Sequence, residues 1–165
     1  MATFPLHHSE GLARAKTQID FRYAPYAALG LRLALGLVFI AHALLKPLVY
    51  TFSGTVAFFV QHGFPGWTAY PVFVAELIGG LALIAGVYTR WAALGLIPIA
   101  VGALTVHWEN GWTFTATNGG WEYVAFLIAA LLVQSALGDG AYALRGGAAG
   151  RRKSSGNDNS LPPMT

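Results

Sequence analysis

Six ionisable residues lie within or at the ends of apolar stretches, and they are the residues of this chain that could do chemistry. They are Arg32, His42, Lys46, Glu76, His107 and Glu122. A charged side chain inside a hydrocarbon-facing helix costs roughly 2.5 to 3.5 kcal/mol on insertion scales, so its presence calls for a function or a partner. Histidine and carboxylate groups exchange protons, whereas arginine and lysine donate hydrogen bonds. The set indicates a hydrogen-bonding, proton-exchanging site in a membrane.

The composition is that of an integral membrane protein. Of the 165 residues, 55% are hydrophobic and only 10% are charged, so we expect no sizeable soluble domain. The formal charge of +3 reflects membrane orientation, and we expect no nucleic-acid partner. The chain has no cysteine, which excludes dithiol chemistry, an iron–sulfur cluster and thiolate-bound zinc.

The hydrophobic pattern predicts an all-α membrane protein, a four-transmembrane-helix bundle over residues 26–145. A helix needs about 20 mostly apolar residues to cross the hydrocarbon core. The predicted spans are about 27–47, 70–88, 91–107 and 121–137. We expect Pro98 to kink the third span and Thr89-Arg90 to form the turn before it. Residues 48–69 are aromatic and rich in turn formers, which is typical of an interfacial loop rather than of a fifth crossing.

The distribution of basic residues predicts the topology. They are concentrated in the N-terminal tail (1–25), in the turn at Arg90 and in the C-terminal tail (146–165 with Arg145), whereas Lys46 is alone in the first outer segment. By the positive-inside rule both termini are cytoplasmic, and the segments between the first and second spans and between the third and fourth face outward. The second tail is rich in Ser, Asn, Gly and Pro and is predicted to be disordered. Residues 41–43 imitate a signal-peptidase site, but we expect no cleavage because the apolar run continues past them.

Helical spacing predicts that the polar residues meet near the outer face. His42 and Glu76 each lie about six residues, or roughly 9 Å, inside the outer end of their spans. Arg32, His42 and Lys46 share one stripe of the first span, and Gly79-Gly80 put Glu76 on a face suited to close helix contact.

Simpler roles for these residues stay open. Arg32 could bind a carboxylate or backbone carbonyls or be a snorkelling anchor, and Lys46 could be an interface anchor. Glu76 could form a structural pair with Arg32 or His42. An aromatic belt and a helix cap could account for His107, Trp108, Glu109, Trp112 and Trp121. A metal site of His42, His107, Glu76 and Glu122 has no supporting HxxH or ExxH spacing. A haem between His42 and His107 would require their rings to face each other across the bundle, and we expect no metal.

Four stretches together resemble the DoxX family of small bacterial membrane proteins. They are RLALGLVFIAHALLKP from Arg32, AELIGGLALIAGVYTRWAAL from Ala75, VHWENGW from Val106 and GGWEYVAFLIAALL from Gly119. The resemblance covers about residues 31–144, with Ala43 where the family pattern would have glycine. It implies a four-helix inner-membrane bundle related to the DoxD-type subunit of a thiosulfate:quinone oxidoreductase, and a role in membrane redox systems.

The residues and the resemblance lead to two functional hypotheses. In the first, the protein binds a quinone near the outer face or passes electrons and protons to one, with His42 and either Arg32 or Lys46 as donors and Glu76 as the proton-exchanging group. If the protein is enzymatic it is then a quinone-linked oxidoreductase subunit, and it needs a bound cofactor or a partner redox subunit. In the second, it is a non-catalytic membrane anchor or assembly subunit. A solute carrier is less favoured, because four spans without an internal repeat would have to form a homo-oligomer.

Overall fold

A computed structural model describes residues 21–144, which form five α-helices and two one-turn 3₁₀ helices and contain no β-strand. The α-helices are α1 (Ala24–Leu48), α2 (Thr51–Gln61), α3 (Ala69–Ala85), α4 (Thr89–His107) and α5 (Glu122–Leu137). The 3₁₀ helices are Gly66–Thr68 and Trp108–Asn110. The first 20 residues of the predicted N-terminal tail and the predicted C-terminal tail, with Arg145 and its other basic residues, lie outside the described residues.

Three of the helices are apolar and long enough to cross a membrane. They are Ala24–Leu48 with 25 residues, Gly66–Ala85 with 20 and Thr89–Asn110 with 22, the last two including their 3₁₀ turns. The fourth apolar helix, α5, has 16 residues, a length of about 24 Å. The chain is therefore a helical membrane protein with three helices of crossing length and one shorter apolar helix.

The predicted spans correspond to α1, α3, α4 and α5, and the structure differs from the prediction in two of the segments that connect them. Half of the predicted loop 48–69 is the short helix α2, which is too short to cross. The turn between α3 and α4 is Gly86 to Tyr88, and Thr89 already belongs to α4. Gly86 ends α3 because it adopts a left-handed conformation, with φ of 70°, which glycine tolerates best.

The four apolar helices form a ring in which each packs on two neighbours. α1 packs chiefly on α3, and α5 packs chiefly on α4, while α3 also contacts α4. The contact between α1 and α5 is smaller. Leucine, alanine and phenylalanine side chains fill the centre; those fully buried include Leu83, Ala93 and Leu131. Below, the turn end is the end of the bundle at Gly86–Tyr88, and the loop end is the end at residues 108–121.

Glycines set the distance between α1 and α3. A Cβ atom on Gly36 would lie 2.6 Å from Ile84 Cγ1 and 2.8 Å from the Gly80 carbonyl oxygen. A Cβ on Gly80 would lie 2.9 Å from the Gly36 carbonyl oxygen. The two backbones therefore approach as only small residues permit, as is common in membrane helix pairs. This contact fixes how the polar ends of α1 and α3 face each other.

Candidate functional site

The centre of the candidate site is an ion pair between α1 and α3 at the loop end. Lys46 Nζ lies 2.5 Å from Glu76 Oε2, and the two side chains are only 13% and 9% exposed. Lys46 Nζ also donates to the His42 carbonyl oxygen at 3.2 Å. An ammonium group has three N–H donors, so one has no partner among the described residues. That donor is available to a ligand.

The partner of Glu76 differs from both structural pairings that the sequence suggested. We considered Arg32 or His42 as its partner, and Lys46 as an interface anchor. The long Lys46 side chain instead bonds back to the carbonyl one turn earlier and reaches the depth of Glu76. His42 lies close enough to interact electrostatically with Glu76, but its ring is directed to α5.

His42 adds a proton acceptor to this cluster. Its Nδ1 lies 2.9 Å from the Val38 carbonyl oxygen, which can only accept a hydrogen bond. Nδ1 must then carry the hydrogen, so in the neutral ring Nε2 is the free acceptor. His42 is exposed, and its ring stacks with Tyr123 of α5 at a centroid distance of 6.4 Å and an interplanar angle of 18°.

Helix α2 covers the end of α1 beside the ion pair. Thr55 is only 5% exposed, and its hydroxyl donates to the Thr51 carbonyl oxygen at 2.9 Å. The same hydroxyl approaches the Lys46 carbonyl oxygen to 3.5 Å. Elements α1, α2 and α3 thus enclose the ion pair, and α5 supplies the aromatic neighbour of His42.

His107 and Glu122 lie at the loop end, as predicted, but they organise the loop. His107 Nδ1 lies 2.9 Å from the Gly119 carbonyl oxygen, and Glu122 Oε1 accepts the Phe114 backbone N–H at 2.8 Å. Among residues 21–144, no hydrogen bond or ion pair joins either side chain to Lys46 or Glu76. In the part of the chain that the structure describes, no group of three His, Asp or Glu residues could hold a metal ion.

Arg32 lies at the opposite, turn end of the bundle. It is 1% exposed and donates to the carbonyl oxygens of Asp139 at 2.6 Å and Ala141 at 3.3 Å. Fourteen residues separate it from Lys46 along α1, a distance of about 21 Å. Its hydrogen bonds show binding to backbone carbonyls, and the Asp139 carboxylate also interacts with it electrostatically, so both partners considered from the sequence are present. The structure does not bring Arg32 to the loop-end cluster.

Arg32 fastens the segment 138–144 across the turn end. In that segment the Ala141 N–H donates to the Pro25 carbonyl oxygen at 2.9 Å, and the Leu144 N–H donates to the Ala85 carbonyl oxygen at 3.1 Å. The chain after α5 is therefore tied to the ends of both α1 and α3.

Sequence reasoning did not single out Tyr123. The sequence did place the Tyr123 phenol in the first turn of the last span, at the end of the bundle where His42 was expected, and that could have identified it. Its relation to His42 depends on which faces of α1 and α5 meet, and spacing along one chain does not determine that.

Comparisons with known proteins relate the chain to a curated relative and to a family. A Bacillus subtilis (strain 168) protein named "Putative oxidoreductase CatD" is 34% identical over 74 residues, which are 45% of this chain and 54% of that protein. The chain thus matches about half the length of this curated relative. No solved structure matches the chain significantly. The family model described as DoxX matches residues 27–108, which hold most of α1 and all of α2, α3 and α4 with the Lys46–Glu76 pair. Through these residues the chain belongs to the DoxX family.

Proposed function

We propose that this protein is a quinone-binding component of a membrane redox system, with its site near the outer face of a bacterial inner membrane. In this proposal α5 is the fourth crossing helix and both termini are cytoplasmic. No lysine or arginine lies between residues 47 and 89 or between 91 and 144. The loop end therefore has Lys46 as its basic residue in this part of the chain, whereas Arg90 lies at the turn end. The positive-inside rule then directs the loop end outward.

The observation that carries the proposal is a pair of hydrogen-bonding groups that have no partner among residues 21–144 and lie beside a nearly buried ion pair. Lys46 has one further N–H that can donate a hydrogen bond to a ligand, and His42 Nε2 can accept a hydrogen bond from a ligand. A quinone presents carbonyl oxygens that accept hydrogen bonds, and its reduced form presents hydroxyl groups that donate them. The residues present therefore fit both forms of this ligand class.

Each residue of the cluster has a distinct task in this proposal. When bound, the quinone supplies a group that takes up two electrons and two protons. Lys46 donates a hydrogen bond to the ligand, Glu76 holds the ammonium group in place, and His42 holds or accepts a proton at Nε2. The electrons come from a partner redox subunit, because this chain has no cysteine for a dithiol of its own. The name of the Bacillus subtilis relative supports an oxidoreductase context.

Titration of purified protein in lipid nanodiscs with a decyl-substituted 1,4-benzoquinone tests the proposal. We expect saturable binding by the wild type at one site per chain and at least about tenfold weaker binding by Lys46→Met and Glu76→Gln, since about 1.4 kcal/mol is a factor of ten. Glu109→Gln is the matched control, because Glu109 is exposed in the outer loop and has no ion-pair partner among residues 21–144. Equal affinity in wild type and Lys46→Met would refute the proposal.

A second candidate function is a non-catalytic anchor for an extracytoplasmic redox protein. The observation in its favour is an exposed aromatic surface on the outer loop, where Trp108, Trp112 and Phe114 are 59%, 55% and 66% exposed. Interfaces are enriched in such aromatic residues. This function predicts that substitution of these three residues releases a co-purifying partner, while Lys46→Met does not.

A further inference from the structure

We infer that Tyr123 is a ligand-contact residue and that the quinone head group lies against it at the seam between α1 and α5. This inference rests on the proposed quinone function and assigns that site a residue on a fourth element. The sequence motifs of α1 and α3 account for the charged part of the site. These motifs do not show which other helix contacts the ligand.

The packing of the bundle favours the seam between α1 and α5 as the open side. On its other flank, α1 is closed by the contact of Gly36 with Gly80, where the backbones touch. α3 touches α4 at Gly79, where a Cβ would lie 2.8 Å from Leu96, and the apolar groove beside this contact extends to Val87 and Tyr88 at the turn end, away from Lys46. The contact of α1 with α5 is smaller than either. A ligand that comes from the bilayer would reach Lys46 most easily on that side.

Two exposed and nearly parallel rings line this seam. His42 is exposed and Tyr123 is 41% exposed, with 18° between the ring planes. The centroid separation of 6.4 Å lies at the wide end of the range for aromatic pairs, so the two nearly parallel rings leave aromatic surface uncovered that a tight stack would bury. Flat conjugated ligands pack on such surfaces.

The Lys46 ammonium group lies one turn of α1 from the His42 ring. His42 and Lys46 are one turn apart on α1, and the Lys46 ammonium group touches the His42 carbonyl oxygen. A head group on the rings of His42 and Tyr123 is therefore within one helical turn of the free Lys46 donor. Phe126, one turn further along α5, is 70% exposed and has no ring partner among the described residues, so it serves as a lipid-facing control.

The test measures binding of the same decyl-substituted 1,4-benzoquinone to full-length protein in nanodiscs. Tyr123→Phe keeps the ring, Tyr123→Leu keeps apolar volume without an aromatic face, and Phe126→Leu is the matched control on the same helix. We expect the wild type, Tyr123→Phe and Phe126→Leu to bind within about twofold of one another, and Tyr123→Leu to bind about tenfold more weakly. Circular dichroism and size-exclusion chromatography confirm that each variant is folded.

A second readout locates the ligand without reference to activity. An azido-substituted benzoquinone should photolabel peptides from α1 and α5 in the wild type, and Tyr123→Leu should reduce that labelling. If wild-type protein binds but Tyr123→Leu retains its affinity, or if the label falls only on α3 and α4, the inference is wrong while the quinone function stands. If wild-type protein binds no quinone, the proposed function fails and the inference fails with it.

Discussion

At the scale of single residues, the most informative group is the Lys46–Glu76 pair. Both side chains are more than 85% buried, so removal of one partner leaves the other charge poorly solvated. Replacing both partners removes the pair without leaving a lone charge. The energetic cost of the two single substitutions should therefore not be additive.

We expect Lys46→Met and Glu76→Gln each to lower the free energy of unfolding by about 1 to 3 kcal/mol. The double variant should be more stable than the sum of the two effects predicts, with a coupling energy of about 1 kcal/mol or more. Reversible unfolding in mixed micelles measures all four proteins, with Glu109→Gln as the exposed control. Strict additivity would show that the two groups do not interact in the membrane.

Arg32 has a structural role distinct from that of Lys46. It holds two backbone carbonyl oxygens, and hydrogen bonds to charged groups contribute about 1.5 to 3 kcal/mol each. We expect Arg32→Met to lower the free energy of unfolding by about 2 to 4 kcal/mol. Arg90→Met should cost less than about 1 kcal/mol, because Arg90 is exposed and donates one bond, to the Ser135 carbonyl oxygen.

The same pair of arginine variants separates stability from ligand binding. Under conditions where Arg32→Met is folded, its affinity for the benzoquinone probe should equal that of the wild type, since about 21 Å of α1 separates the two sites. A large loss of affinity in folded Arg32→Met would place Arg32 in the ligand site after all.

At the scale of elements, the contact between α1 and α3 determines whether the charged pair can form. Gly80→Ala would place a methyl group against Ile40 and the Gly36 carbonyl oxygen, at 2.8 and 2.9 Å. We expect this variant to lose about 1 to 3 kcal/mol of unfolding free energy through overpacking. Gly95→Ala is the control, because nothing lies within 4 Å of its Cβ position, and it should stay within about 0.5 kcal/mol of the wild type. Equal stability of the two variants would contradict the observed packing.

Most of the helical architecture could be predicted from the sequence, because long apolar runs and glycine signals are local properties. Two local features were predicted wrongly. The turn before α4 was placed at Thr89-Arg90, although it lies at Gly86 to Tyr88, and residues 48–69 were predicted to be a loop, although half of them form helix α2. For the site, spacing placed Glu76 and His42 at one depth. The partner of Glu76 depended on the reach of the Lys46 side chain, and the neighbour of His42 depended on the rotation of α5. Neither is encoded in spacing.

At the scale of the whole molecule, the orientation in the membrane decides which side of the cell the site serves. The chain has no cysteine, so a single introduced cysteine reports topology without a background signal. We expect Thr117→Cys, exposed in the loop 108–121, to react with a membrane-impermeant maleimide in intact cells. Ser154→Cys in the C-terminal tail should react only after the membrane is permeabilised. The reverse pattern would place the site on the cytoplasmic side.

The claim that Lys46, Glu76 and His42 form a quinone site is tested most directly by quantifying quinone in protein extracted gently from its native membrane. Mass spectrometry would report the intact mass and the bound small molecules of wild type, Lys46→Met and Glu109→Gln together. We expect about one quinone per chain in the wild type and in Glu109→Gln, and little in Lys46→Met. A wild-type chain without quinone, or equal quinone in all three proteins, would contradict the account.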